Sequence, residues 1–208
     1  MRTTESYFYN NQELKLLYQK IEGNILELAV KLAGSLGMRR EEICGLKWEN
    51  VDLQRHLVLI REARTAYGAT IVQKETKNRS SVRTLYLPDE VYLLLEQEQA
   101  RQQQERCLQS PTYNPTDHVI LDAKGVPYSP NALSLAFTRF VKKNDLPRLT
   151  FHGLRHTFAT IASCQGASLF DIGKALGHST PATTGRIYTH LVDRTHEELV
   201  QRVSDALK

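Results

Sequence analysis

Cysteine is scarce in this chain of 208 residues: Cys44, Cys107 and Cys164 are odd in number and far apart. That excludes a disulfide framework and a CxxC metal clip, and three reduced, mostly buried thiols are expected. No apolar run reaches the roughly 18 residues of a membrane span. The opening MRTTESYFYNNQELK has no apolar signal-peptide core, so the expected compartment is the cytoplasm. Internal repeats and low-complexity linkers are missing as well. Charge of one sign is barely in excess, with 27 Lys and Arg against 23 Asp and Glu for a formal +4. Such a balance permits a nucleic-acid partner without requiring one. Hydrophobic residues at 41% and charged residues at 24% exclude a disordered chain but select no function. The length suits one domain with a sizeable core.

What is present is mainly helical periodicity. Leu14, Leu17, Ile21, Ile25, Leu28, Ala29 and Leu32 recur at helical spacing, with Gly23 as a break, and RREEICGLKW continues as a short helix. The period then changes. HLVLIREA (56–63), ATIVQKE (69–75) and VRTLYLP (82–88) are short, β-branched and separated by polar turns, which predicts a three-stranded antiparallel sheet. After Pro88 an acidic start opens a helix whose Gln-rich end, EQEQARQQQERC, reads as solvated. HVILDAKG reads as a short strand. Ser129-Pro130 gives an N-cap and a first-turn proline for the next helix, and Pro147 ends that region. Helices follow over about 152–165 and over SLFDIGKALG, where Ser168 and Asp171 have capping-box spacing. A segment from Thr180-Pro181 and a final helix, DRTHEELVQRVSDALK, complete a mainly α chain with a small antiparallel sheet.

FHGLRHTFAT (151–160) places His152, Arg155 and His156 on one helix face. His152 and His156 have the spacing of zinc hydrolases, but Gly153 stands where the catalytic carboxylate belongs, and Arg155 would repel a cation. No metal is expected. An anion suits the face better, because a guanidinium offers a planar fork of donors to phosphate oxygens. An isolated HxxR would more often be an arginine paired with a carboxylate. Three other segments stand beside it. GMRREE sets Arg39 three residues before Glu42, which can hold the arginine in one orientation. KETKNRSSVR carries Lys74, Lys77, Arg79 and Arg83 against Glu75 alone, a solvated loop or a finger touching nucleic acid. LGHSTPATTGRIYTH brings His178 and Tyr188.

In this order the segments resemble the boxes of the tyrosine recombinases, or phage-type integrases. GMRREE looks like the first-arginine box, HGLRHTFAT like the His-x-x-Arg box, LGHS like the second histidine box and IYTH like the tyrosine box, and the resemblance runs from about residue 10 to 195. It implies the catalytic-domain fold of that family, with Arg39, Lys77, His152, Arg155, His178 and the nucleophile Tyr188 as the catalytic set and Glu42 in support. Lys77 is matched on the lysine-threonine hairpin, although Asn78 replaces the threonine and Lys74 is close. Lys74, Arg79 and Arg83 are DNA-contacting candidates. His156 has no catalytic assignment and reads as scaffolding.

The implied activity is site-specific recombination: cleavage and rejoining of double-stranded DNA through a 3′-phosphotyrosine, with neither metal, ATP nor other cofactor. Type IB topoisomerase relaxation and non-catalytic DNA binding are the competing readings. The resemblance further implies a tetramer on DNA, accessory DNA-bending or directionality proteins, and no membrane partner. Residues 1–208 are expected to be a single catalytic domain without the family's N-terminal core-site-binding domain. The helix over 193–208 is expected to pack either on a neighbouring protomer or on its own domain.

Overall fold

Local capping signals explain where the chain turns helical in the computed structural model, which describes residues 8–67, 70–75, 82–109, 113–178 and 204–205. Asn10 accepts hydrogen bonds from the amides of Gln12 and Glu13, while the Glu13 carboxylate accepts one from the Asn10 amide. This reciprocal cap opens α1 (Asn11–Ile21), which buries Leu14, Leu17 and Ile21. The chain breaks at Gly23, in the left-handed region at φ +71°. α2 (Glu27–Leu36) is apolar nearly all round and correspondingly buried. Its one buried cation, Lys31, is paired with Glu27 and with Glu90 of a later helix.

α3 (Arg40–Gly45) and a 3-10 turn (Trp48–Asn50) lead into the strands. These form two sheets where the sequence predicts one. β1 (Val51–Asp52), β2 (Leu57–Ile60) and β5 (Arg83–Tyr86) make an antiparallel sheet in the order β1-β2-β5, with Val58 opposite Leu85 and Ile60 opposite Arg83. β3 (Glu62–Tyr67) and β4 (Thr70–Glu75) pair separately, Arg64 opposite Gln73. The run HLVLIREA is divided at Arg61. Packing supplies the reason: β3 lies against α3 so closely that a Cβ on Gly45 would stand 2.9 Å from the Arg64 amide nitrogen.

α4 (Asp89–Gln109) follows as expected, but its Gln-rich half is not wholly solvated. Gln102 is buried, accepts from the Trp48 indole and donates to the Val119 carbonyl. HVILDAKG forms only single bridges, Lys47 with His118 and Leu121 with Pro127, because the chain reverses at once through a turn from Asp122 to Gly125. Cys44 is buried, whereas Cys107 and Cys164 are exposed, so only one thiol follows the expectation.

Three helices complete the described fold. α5 (Pro130–Lys143) is capped by Ser129 and buries Leu133, Phe137 and Val141 along one face. α6 (Phe151–Cys164) starts at Thr150, whose hydroxyl accepts from the Gly153 amide. It packs on α2 and is sealed on another side by Tyr9, whose amide donates to Thr157 Oγ1. α7 (Leu169–Leu176) begins at Ser168, whose hydroxyl accepts from the Asp171 amide and donates to the Asp171 carboxylate. The expected segments from Thr180 onward lie outside the described residues, apart from helical Ser204 and Asp205. Among the described residues no helix is long and apolar enough to cross a membrane.

Phe137 of α5 meets Phe151, the first residue of α6, at a centroid distance of 5.0 Å. Both are buried, so this contact seats the helix that carries the HxxR segment. Phe137→Ala should lower the unfolding free energy by about 3–5 kcal/mol in urea titrations. A loss well below that range would show that the ring does not seat α6.

Candidate active site

The site begins where α2 stops. Gly37, at φ +65°, terminates the helix with its amide bonded to the Ala33 carbonyl, and the buried Met38 then directs the chain to Arg39. Arg39 occupies the N-cap of α3, and Glu42 reaches back from the third position of the helix. The Glu42 carboxylate accepts the Arg39 amide at 2.8 Å and the Arg39 guanidinium at 2.7 Å. It also accepts both terminal nitrogens of Arg83, one on each oxygen, at 2.9 Å. Burial alone would raise the carboxyl's pKa. The hydrogen bonds and charge of Arg83, with the charge and amide of Arg39, outweigh burial and hold it below its ordinary value.

The C-terminus of α7 brings the remaining parts together. Three successive carbonyls each accept a bond from a different arginine: Ala175 from Arg83 at 2.7 Å, Leu176 from Arg155 at 2.7 Å and Gly177 from Arg39 at 3.1 Å. A helix C-terminus leaves such carbonyls without intrahelical donors and carries the negative end of the macrodipole, so it attracts cations. Arg155, 4% exposed, also donates to the Gly37 carbonyl at 2.6 Å. Gly177 has φ +65°, and a Cβ there would stand 2.8 Å from the Arg83 guanidinium. Glycine is required here both by the turn and by the arginine lying against it.

That turn delivers His178. Desolvation first, then the charges of Arg155, Arg39 and Arg83 and the neighbouring His156, push its pKa down to about 4. Its imidazole is therefore neutral at neutral pH. His152 projects from the first turn of α6 and is exposed on one side. Partial desolvation and the charges of Arg155 and Arg39 lower its pKa too, with Glu41 opposing. The buried His156 meets His152 edge-on at 4.5 Å. An open pocket of about 340 Å³ is lined by Arg39, His152 and Arg155, and extends along Arg40, Ser134, Thr138 and Thr150.

Thus Arg39, His152, Arg155, His178 and Glu42, widely separated in sequence, meet at one place. Lys77, Arg79 and Tyr188 lie outside the described residues. Lys74 is on β4 with its backbone opposite Ala63. Arg83 departs from its expected place as a DNA contact: its side chain is 7% exposed and committed to Glu42 and Ala175. Strand alternation explains this, since Arg83 shares a sheet face with the buried Leu85, and that signal was available in the sequence. Ser134, Thr138 and Thr150 belong to no motif, and Arg40 lies within GMRREE without a role of its own. Among the described residues no group of three or more His, Cys, Asp or Glu side chains is placed to hold a metal ion.

Comparison with known proteins defines the class. The sequence pattern of the phage integrase family matches residues 8–195, and the chain belongs to that family. It is 26% identical to a tyrosine recombinase XerC-like protein of Caldanaerobacter subterraneus subsp. tengcongensis, over 97% of this chain and 55% of that protein. It is 25% identical to the ICEBs1 integrase of Bacillus subtilis, over 82% of this chain and 46% of the relative. The chain thus spans about half the length of these relatives. In fold it is similar to the Tn1549 transposon integrase solved in complex with transposon right end DNA, with TM-score 0.80, 22% identity and coverage of 95% of this chain and 66% of that one. It is also similar to the XerA recombinase, with TM-score 0.72, 24% identity and coverage of 94% and 64%.

The lowered pKa of His178 has a consequence for stability. In the folded protein the group resists protonation between about 6.5 and about 4, whereas the unfolded chain takes up the proton near 6.5. Its contribution is therefore fully present above 6.5 and lost as pH falls towards 4. The stability difference between the native protein and His178→Gln should shift against the native protein across that window in thermal melts. A difference that stays constant with pH would contradict the assignment.

Proposed function

We propose that this pocket holds a scissile DNA phosphodiester and that the protein is a site-specific DNA recombinase acting through Tyr188. The observation that carries this reading is the convergence of Arg39, Arg155 and His152 on one open pocket, with neutral His178 beside them. Two guanidiniums already oriented by carbonyls and a carboxylate suit the equatorial oxygens of a phosphoryl-transfer transition state. Their orientation is set before the substrate arrives. Membership of the phage integrase family supports the same chemistry.

In the proposed reaction the Tyr188 hydroxyl oxygen attacks phosphorus, the bond to the 5′-oxygen breaks, and a 3′-phosphotyrosine forms. A phenol with a pKa of about 10 needs help in losing its proton, and the uncharged His152 can accept it. The departing 5′-alkoxide is a stronger base and takes a proton from Lys77. Neutral His178 keeps one N–H to donate to a phosphate oxygen. Attack by the 5′-hydroxyl of another strand then reverses the step and releases the tyrosine. One ester is exchanged for another, so the reaction needs no ATP. Double-stranded DNA is the substrate, and four protomers assembled on it would supply one nucleophile for each exchanged strand. Residues 193–208 are the proposed contact with a neighbouring protomer. The proposed compartment is the cytoplasm.

The test is adduct formation on nicked duplexes made from the DNA flanking the gene. The native protein should form a covalent protein–DNA adduct with a free 5′-hydroxyl, and Tyr188→Phe should form none. Arg39→Lys should slow adduct formation by about 100-fold or more, since one fork of transition-state donors is lost. An adduct with Tyr188→Phe would overturn the nucleophile. Relaxation of any supercoiled plasmid without exchange between cognate sites would identify a topoisomerase instead.

A further inference from the structure

Three arginines meet the end of α7, but only Arg39 and Arg155 line the pocket. Arg83 stands behind them. Its fork spans both oxygens of Glu42, a carboxylate that is itself 2% exposed, and its Nε donates to the Ala175 carbonyl. Glu42 in turn holds the amide and the guanidinium of Arg39. Arg83 therefore touches, directly or through one carboxylate, Arg39 at the cap of α3 and the helix end that delivers His178. It is also the first residue of β5, six positions after Lys77 in sequence, so the start of β5 is tied to the same cluster.

We infer that Arg83 is a positioning residue for strand cleavage, locking Arg39, the His178 turn and the start of β5 into one rigid unit, and that it contacts no DNA. This inference rests on the recombinase reading. Its physical basis is geometric. A planar fork of five N–H donors can satisfy a buried carboxylate bidentately and still reach a carbonyl with its Nε, which a lysine ammonium cannot do. Among the described residues, Glu42 without that fork keeps only Arg39, and the orientation of Arg39 is tied to α7 by its single bond to Gly177.

The decisive experiment compares Arg83→Met, Arg83→Lys and the double variant Arg83→Met/Glu42→Gln with the native protein. The rate of adduct formation is read at saturating nicked duplex, and DNA affinity is read separately by titration across salt. Arg83→Met should slow adduct formation by roughly 100-fold, as a misplaced catalytic group does. Affinity and its salt dependence should be unchanged, whereas a lost phosphate contact would reduce the salt slope by about 0.9.

The acid limb of the rate–pH profile should also move upward in Arg83→Met. Of the charged groups facing Glu42, only Arg39 then remains to oppose burial. Arg83→Lys should return that limb towards its native position, because the charge is restored, while recovering only part of the rate. The double variant removes the orphaned carboxylate and should be no slower than Arg83→Met, which separates lost positioning from failure to fold.

Weakened DNA affinity with an unchanged rate at saturation would overturn the inference, and so would an acid limb that does not move. If the native protein forms no adduct, the recombinase reading fails. NMR titration of DNA-free protein then still decides whether Arg83 holds the cluster. The Glu42 carboxyl, facing Arg83 and Arg39, and the His178 imidazole, facing Arg155, Arg39, Arg83 and His156, should both titrate higher in Arg83→Met. Unmoved titrations would overturn it.

Discussion

The C-terminus of α7 holds this site together. Helix geometry leaves its last carbonyls without partners, and a buried carbonyl without a donor is costly. Here Ala175, Leu176 and Gly177 are satisfied by Arg83, Arg155 and Arg39, side chains from a strand, a helix and a helix cap. One requirement, that every buried backbone acceptor find a donor, thereby draws three distant arginines to a single point. The macrodipole of α7 favours their charge there, and the Glu42 carboxylate offsets part of their mutual repulsion.

That arrangement also fixes the electrostatics. Burial first, and then the several cations packed together, lower the pKa values of His178 and His152 and favour their neutral forms. A concentration of positive charge with neutral hydrogen-bonding groups at its edge is matched to a phosphodiester, which brings negative charge and needs both kinds of donor. Glu42 stays ionised in the interior for the same reason: its arginine partners outweigh the cost of burial.

Much of this was legible in the sequence, and the exceptions have physical causes. Capping signals placed α5 and α7, because Ser129 and Ser168 act within a few residues of themselves, and helical spacing placed α1 and α6, whose caps Asn10 and Thr150 the structure adds. The single sheet expected from three strand-like runs forms as two, because pairing depends on what β3 packs against, and the approach of Gly45 to Arg64 is a tertiary contact. The basic character of its neighbours suggests a DNA contact for Arg83, whereas its alternation with Leu85 points it inward. Gln102 sat in a polar helical run and still became buried, because Trp48, Asn114 and Val119 supply its partners from elsewhere.

By itself the sequence determined the helical periodicity, the caps at Ser129 and Ser168, the order of the motifs and the chemical types of the candidate groups, since these depend on local spacing and side-chain chemistry. Only the tertiary structure decided which arginines face the pocket and which stand behind it. It also decided which carboxylate is buried and which histidines are neutral. Orientation, burial and charge coupling arise from contacts between residues distant in the chain, as when Arg155 reaches the carbonyl of Gly37 and Arg39 that of Gly177, each more than a hundred positions away.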